Sequence, residues 1–410
     1  MLDKDRFNLL SPNFFLSFAL VGFAALWFSP FLVSVSTAAM ALLAIPSYKS
    51  IWREYKKLVL SLLLILVLSA LDMLRKGDNA SVATAKFGLL IGLFFLLLSA
   101  VYFFQHNKKN AVVFILFSSL IVLIVNVLAV GNYFLYKTYY DELLLQSKSI
   151  PVLNMHHIHF GIINASVIFC LFGVLHKKLV DNWKMTVSWI ALALIFICFH
   201  ILSSRTGVLA FYTGAMLALL GYSLYTKAYK ILIFGLVLGA LSILVAASVS
   251  TSFNNKISNS VEDYESIIKG GKEINFKSMA MRLEANKICL QIIADHPFIG
   301  VGASNQDAEM QKMYIKHGTL LLEENRVGPH NQFLEFGVKY GVIGIVSVVV
   351  LLLIFVLPYK QNAYLFYGFI YLLFISMLFE SLLERQASIY FTSLFLGVGY
   401  SLFYGQIAKK

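Results

Sequence analysis

Charged side chains are scarce in this chain. Asp, Glu, Lys and Arg make up 13% of its 410 residues, where a soluble domain carries roughly 25%. With 59% hydrophobic residues as well, no soluble class fits and a polytopic membrane protein does. Proline is rare, at seven. The apolar runs are long and do not alternate in segments of about ten residues, which excludes a β-barrel and leaves an all-α bundle. Cysteine is limited to Cys170, Cys198 and Cys289. Two lie inside apolar runs and one on a polar stretch, with no CxxC pair, so a disulfide framework is excluded. No A-x-A-like site follows the first apolar run, so no cleavable signal peptide is expected.

What the chain does have is runs of spanning length, about twenty apolar residues each. About twelve are expected, near 12–29, 31–47, 57–74, 84–104, 111–131, 158–175, 185–203, 206–225, 230–250, 333–357, 363–380 and 387–405. Only Ser29-Pro30 divides the first two. The formal net charge of +12 collects in alternate loops. Lys49, Arg53, Lys56 and Lys57 form one cluster. Lys108 with Lys109, Lys177 with Lys178 and Lys184, Lys227 with Lys230, Lys360, and Lys409 with Lys410 follow. This is topological charge, so no nucleic-acid partner is expected, and both termini are expected in the cytoplasm.

On that topology several polar segments fall on the outer face. They are Gly131–His159, Ser203-Ser204-Arg205, a long loop from about Thr251 to Asn331, and Glu384-Arg385. The chain divides into an N-terminal transmembrane bundle (1–250), a loop domain (251–331) between the ninth and tenth spans, and C-terminal transmembrane helices (332–410). So long a loop is functional or disordered. Met279, Leu283, Ile288, Ile292 and Ile293 give it a helical pattern over Ser278–Asp295, stopped by Pro297. We expect a small helical cap on the outer surface.

Each polar group has a bland reading beside a functional one. Arg205 either snorkels to the head groups or binds a ligand, and positive charge is disfavoured on the outer side. Arg282 is either on a solvated helix face or a planar fork for phosphate oxygens. His330, after Gly328-Pro329, is either interfacial or a general base, since histidine ordinarily titrates near neutrality. Asn331 would orient the imidazole or a sugar hydroxyl. His156, His157 and His159 form a compact HHxH without a nearby carboxylate or cysteine, so we read it as interfacial or substrate-lining, not as a metal site. Gly300-Val301-Gly302 reads as a turn, and more weakly as a backbone nest for an anion. Glu380 and Glu384 stand i, i+4, on one face if helical, beside Arg385. One of them would hold Arg205 or Arg282.

Four segments resemble the O-antigen ligase and polymerase superfamily of bacterial glycosyltransferases. They are SSRTG at Ser203–Gly207, RLEANKICLQIIADHPFIGVGASN at Arg282–Asn305, HNQFLEFGVKYGVIG at His330–Gly344 and FESLLERQ at Phe379–Gln386. HNQFLEFGVKYGVIG is the most specific. The N-terminal half matches only in hydropathy, and the long late loop matches the family layout.

The resemblance implies a bacterial inner-membrane enzyme of lipopolysaccharide and cell-envelope biosynthesis, with its site facing the periplasm. It implies glycan transfer from undecaprenyl diphosphate to an acceptor hydroxyl, without metal, nucleotide or other cofactor. In a ligase the acceptor is lipid A-core, and in a polymerase it is another lipid-linked glycan. His330 would be the general base, and Arg205 and Arg282 would hold the diphosphate. Asn331, Glu380, Glu384, Arg385, His156 and His159 would support them. Ligase is the first reading and polymerase the second. A glycolipid flippase, from another class, would share the hydropathy but not the gathering of polar residues at outer span ends.

Overall fold

A computed structural model describes residues 4–75, 79–145, 148–202, 204–269, 274–357 and 359–404. Ser203, Lys409 and Lys410 lie outside the described residues. The described chain is helical, with no strand beyond an isolated Val152–Met155 bridge.

Sixteen α-helices follow one another among the described residues. They begin with α1 (Lys4–Ala25), α2 (Pro30–Ala44), α3 (Tyr48–Met73), α4 (Ala80–His106), α5 (Lys108–Leu135) and the short α6 (Lys137–Leu145). Next come α7 (His157–His176), α8 (Asn182–Leu202), α9 (Arg205–Thr226) and α10 (Tyr229–Val249). The polar stretch 250–331 holds α11 (Thr251–Lys269), α12 (Ser278–Asp295) and α13 (Gln306–Lys316). The chain ends with α14 (Gln332–Val356), α15 (Tyr364–Phe379) and α16 (Gln386–Gly399). Eight described helices are long and apolar enough to cross a membrane: α4, α5, α7, α8, α9, α10, α14 and α16 with its continuation to Tyr404. The remaining runs of the expected twelve also lie on helices, α1, α2, α3 and α15, but α2 and α15, at 15 and 16 residues, are shorter than a full span.

Local sequence explains the breaks. Ser29 caps α2, accepting a hydrogen bond from the Leu32 amide at 3.3 Å, and Pro30 takes the first helical position. The Asn107 side chain caps α5 in the same way. In the apolar interior α7 is the central helix, with 94% of its span window buried, while α10 at 6% is peripheral. Asn126 of α5 donates to Asn164 of α7 at 2.6 Å, a side-chain bond of the kind that ties membrane helices together. α7 and α9 cross at two glycines: a Cβ on Gly207 would sit 2.6 Å from the Gly161 carbonyl. Cys170, Cys198 and Cys289 are buried and unpaired.

The loop meets the bundle at a break in α14. Gly341 has φ 68° and ψ −160°, a conformation essentially reserved for glycine. Opening the helix there frees carbonyls for residues 297–302. The amides of Val301 and Gly302 donate to the Val338 and Lys339 carbonyls at 2.8 and 3.0 Å, and the Val342 amide donates to the Pro297 carbonyl at 2.7 Å. The Gly300-Val301-Gly302 turn is therefore a docking turn; two of its N–H groups serve α14 and not an anion. At the end of α3, Asp72 accepts from the Ala303 amide at 2.8 Å and Arg75 donates to the Ile299 carbonyl at 2.8 Å. Gly341→Ala should cost about 1–3 kcal/mol of stability, because its Cβ would press on Phe298 and hold a disfavoured φ. A melting curve in detergent checks this, and an unchanged midpoint would contradict it.

Candidate functional site

The end of α15 and the starts of α7 and α14 meet around Glu380. α15 stops at Phe379, and Glu380 is extended at φ −155°. The next residues, Leu382–Glu384, form a 3-10 turn. Glu380 and Glu384 therefore do not share a helix face, contrary to their i, i+4 spacing. Glu380 turns to the histidines and Glu384 turns to lysines.

Glu380 Oε2 stands 3.3 Å from His330 Nδ1. Its other oxygen is 3.5 Å from His159 Nε2, an ion-pair distance in poor geometry for a hydrogen bond. The Glu380 side chain is buried. Burial alone would raise its pKa, but the two imidazoles beside it hold the carboxyl well below the usual carboxylate range. An ionised carboxylate only accepts hydrogen bonds, so Nδ1 of His330 carries the proton and, in the neutral ring, Nε2 keeps its lone pair. The His330 side chain is 26% exposed while that of His159 is 3% exposed. Of the two rings, His330 is the one that reaches solvent. His156 precedes α7, and burial and the neighbouring His159 push its pKa down to about 4, so it is neutral at pH 7.

The loop carrying Glu380 is bolted to the start of α14. Ser381 donates to the Pro329 carbonyl at 3.0 Å, and the Gln332 side chain accepts from the Leu383 amide at 2.6 Å. Lys339 of α14 lies 2.6 Å from both Glu335 and Glu384. Lys86 of α4 reaches Glu384 at 2.7 Å. Asn331 is the N-cap of α14. Its Oδ1 accepts from the Phe333 and Leu334 amides at 2.9 and 3.1 Å. That oxygen does not orient the imidazole, and only the amide Nδ2 remains for a ligand.

The two arginines approach the same place from different elements. The α7–α9 crossing puts Ser204, the residue before Arg205, into one small cavity with His157. Arg205 pairs with Asp263 of α11 at 3.1 Å, so its holder is neither Glu380 nor Glu384. Arg282 donates to the Phe379 carbonyl at 3.0 Å. Among the described residues it has no carboxylate at ion-pair distance. Its guanidinium pKa is lowered, first by burial, and it feels the charges of both Glu380 and Arg205. Lys256 of α11 adds a third cation. Burial and Arg205 push its pKa down to about 8. It donates to the Lys148 carbonyl and Ser149 at 3.0 and 3.2 Å. Arg385 is exposed at the rim and contributes to the field at His156. Among the described residues no group of three or more His, Cys, Asp or Glu is arranged to hold a metal ion.

Sequence reasoning missed Lys256 and Asp263. A signal was present: Ser252, Lys256, Asn259, Asp263 and Ser266 recur at helical spacing. In the structure Ser252, Asn259, Asp263 and Ser266 are buried, so the polar stripe of α11 faces inward.

Residues 190–349 match the family model described as O-Antigen ligase. The match covers 160 of the chain's 410 residues and supports the resemblance to the O-antigen ligase and polymerase superfamily. It contains Arg205, Arg282 and His330, together with the α11–α13 stretch, and ends before Glu380. No curated protein matches the chain.

Proposed function

We propose that this protein is an O-antigen ligase-like glycosyltransferase of the bacterial inner membrane. The glycan leaves undecaprenyl diphosphate and joins a hydroxyl on lipid A-core at the periplasmic face. In this reading the chain makes about twelve spans, counting α2 and α15 as short ones, with both termini cytoplasmic and 250–331 outside. The observation that carries the reading is the His330–Glu380 contact, set beside two guanidiniums from separate helices. Ser204 Oγ, His156 Nδ1 and Asp263 Oδ1 are buried nearby without a hydrogen-bond partner among the described residues. Buried polar groups normally have one, and a glycan or diphosphate would supply it.

The chemistry follows from this geometry. The acceptor oxygen attacks the anomeric carbon and forms the new glycosidic bond. The bond from that carbon to the diphosphate oxygen breaks, and its electron pair leaves with undecaprenyl diphosphate. His330 Nε2 takes the hydroxyl proton, and Glu380 stabilises the resulting imidazolium. Arg282 and Arg205 offset the charge that grows on the diphosphate. In-line attack inverts the anomeric centre.

The test combines purified protein with undecaprenyl-diphosphate glycan and a lipid A-core acceptor, and reads the acceptor mass. A gain of one glycan supports the ligase reading. Lengthening of the lipid-linked glycan instead would mark a polymerase of the same superfamily. If authentic substrates remain unchanged, transferase activity fails as a reading, and movement of intact glycolipid is the next assay. In the same assay Arg282→Lys and Arg205→Lys should each lower the initial rate by at least about tenfold, because an ammonium cannot reproduce the planar fork. Full activity with lysine would reduce these residues to point charges.

A further inference from the structure

A cavity of about 730 Å³ lies between α2, α3 and α4. It is away from the histidine site. Lys86, near the start of α4, touches Glu384, whereas the cavity is lined further along α4, at Phe94, Phe95, Leu98 and Ser99. Its volume is within the range of ligand pockets, about 300–1,000 Å³.

The cavity is two-sided in chemistry. Its inner wall is apolar, from Ala41, Ala44, Val59, Phe94 and Leu98. Its mouth holds Lys49, Arg53 and Lys56. A bend in α3 creates this arrangement. Tyr55 has φ −122° and ψ 28°, outside the helical range. The turns before the bend carry Tyr48, Lys49, Trp52 and Arg53 into the lining. Trp52 and Tyr48 are 45% and 62% exposed, which suits rings that rest at head-group level. Lys49 lies over the Tyr48 ring and Lys56 over the Trp52 ring.

Among the described residues no acid lines the cavity. The neighbouring Glu54 is engaged with His106 at 3.6 Å. Among the described residues none of Lys49, Arg53 and Lys56 has a carboxylate at ion-pair distance. Topological charge alone explains cations in this loop, but not their placement around the mouth of an apolar cavity. We propose that this cavity is a binding site for an anionic phospholipid. The phosphate head group sits among Lys49, Arg53 and Lys56, and the first part of the acyl chains lies on Phe94, Phe95 and Leu98. Basic pockets between membrane helices recognise lipid phosphates by this division of labour. The proposal does not depend on glycan transfer.

Native mass spectrometry of the full chain in detergent tests it, with phosphatidylglycerol and phosphatidylcholine as probes. Phosphatidylglycerol should be retained at least about tenfold more tightly. The triple variant Lys49→Gln, Arg53→Gln, Lys56→Gln changes only exposed side chains and should erase that preference. Ala41→Trp keeps the charges but fills the cavity, and should weaken retention as well. Variants are compared on the monodisperse fraction with unchanged helical circular dichroism. Equal retention of both lipids overturns the proposal, as does a triple variant that still prefers phosphatidylglycerol. Wild-type retention by Ala41→Trp overturns it too, since the cations would then be attracting lipid without the cavity. So does displacement of the lipid by inorganic phosphate, since the acyl chains would then contribute nothing.

Discussion

His330→Ala should lower glycan transfer by about 10²–10⁴-fold while leaving the protein folded and inserted. The fold should survive because His330 is not part of the packed interior. Its ring is partly exposed, and among the described residues its one side-chain hydrogen bond is to Glu380. α14 keeps its cap, which comes from Asn331. On the proposed mechanism the loss should fall on the chemical step, since the ring would remove a proton that the acceptor hydroxyl gives up only as it attacks. Glu380→Gln tests the second half of the argument. The amide preserves shape but not charge, and it can present N–H to Nδ1 and reverse the tautomer. A loss smaller than that of His330→Ala, with little change in substrate affinity, is expected. Initial rates, with circular dichroism and elution volume as fold controls, decide both. Normal product from His330→Ala would sink the base assignment. Normal product from Glu380→Gln would leave His330 as a base that needs no orienting partner.

The helices were largely legible because hydropathy is a long-range property. A run of about twenty apolar residues keeps its meaning whatever packs against it. α12 was legible for a different reason: its apolar spacing begins near Ser278, and Pro297 forbids continuation. His330 was visible as a polar residue at the start of an apolar run. The partnerships were not visible. Arg205 meets Asp263, 58 residues away, and no local spacing encodes that pair. The i, i+4 spacing of Glu380 and Glu384 suggests one helix face, yet α15 ends at Phe379, one residue before Glu380. The sequence reading also passed over Lys339, which lies in the middle of an apolar run. An ammonium there needs carboxylate company, and sequence alone did not name Glu335 and Glu384 as that company.

That company makes Lys339 the position where one substitution should cost most in stability. Its side chain is 2% exposed and holds two carboxylates that are themselves 8% and 11% exposed. Lys339→Met removes the shared cation: Glu384 keeps Lys86 at 2.7 Å, but Glu335 is left beside it in a poorly hydrated site without a cation. The expected cost is about 3–5 kcal/mol, the penalty of an uncompensated buried charge rather than the net worth of the pair. Lys86→Met is the control: Lys86 is 27% exposed and Glu384 would keep Lys339, so about 1 kcal/mol or less is expected. Glu335→Gln on top of Lys339→Met should recover part of the loss by removing one stranded charge. Denaturation midpoints in detergent give all three values. A wild-type midpoint for Lys339→Met would mean that the carboxylates find protons or other partners without it. The same cluster anchors the turn that carries Glu380, so Lys339→Met protein that remains folded should also transfer glycan slowly. If its rate stays at the wild-type level, the Ser381–Pro329 and Gln332–Leu383 contacts alone suffice to hold Glu380 against His330.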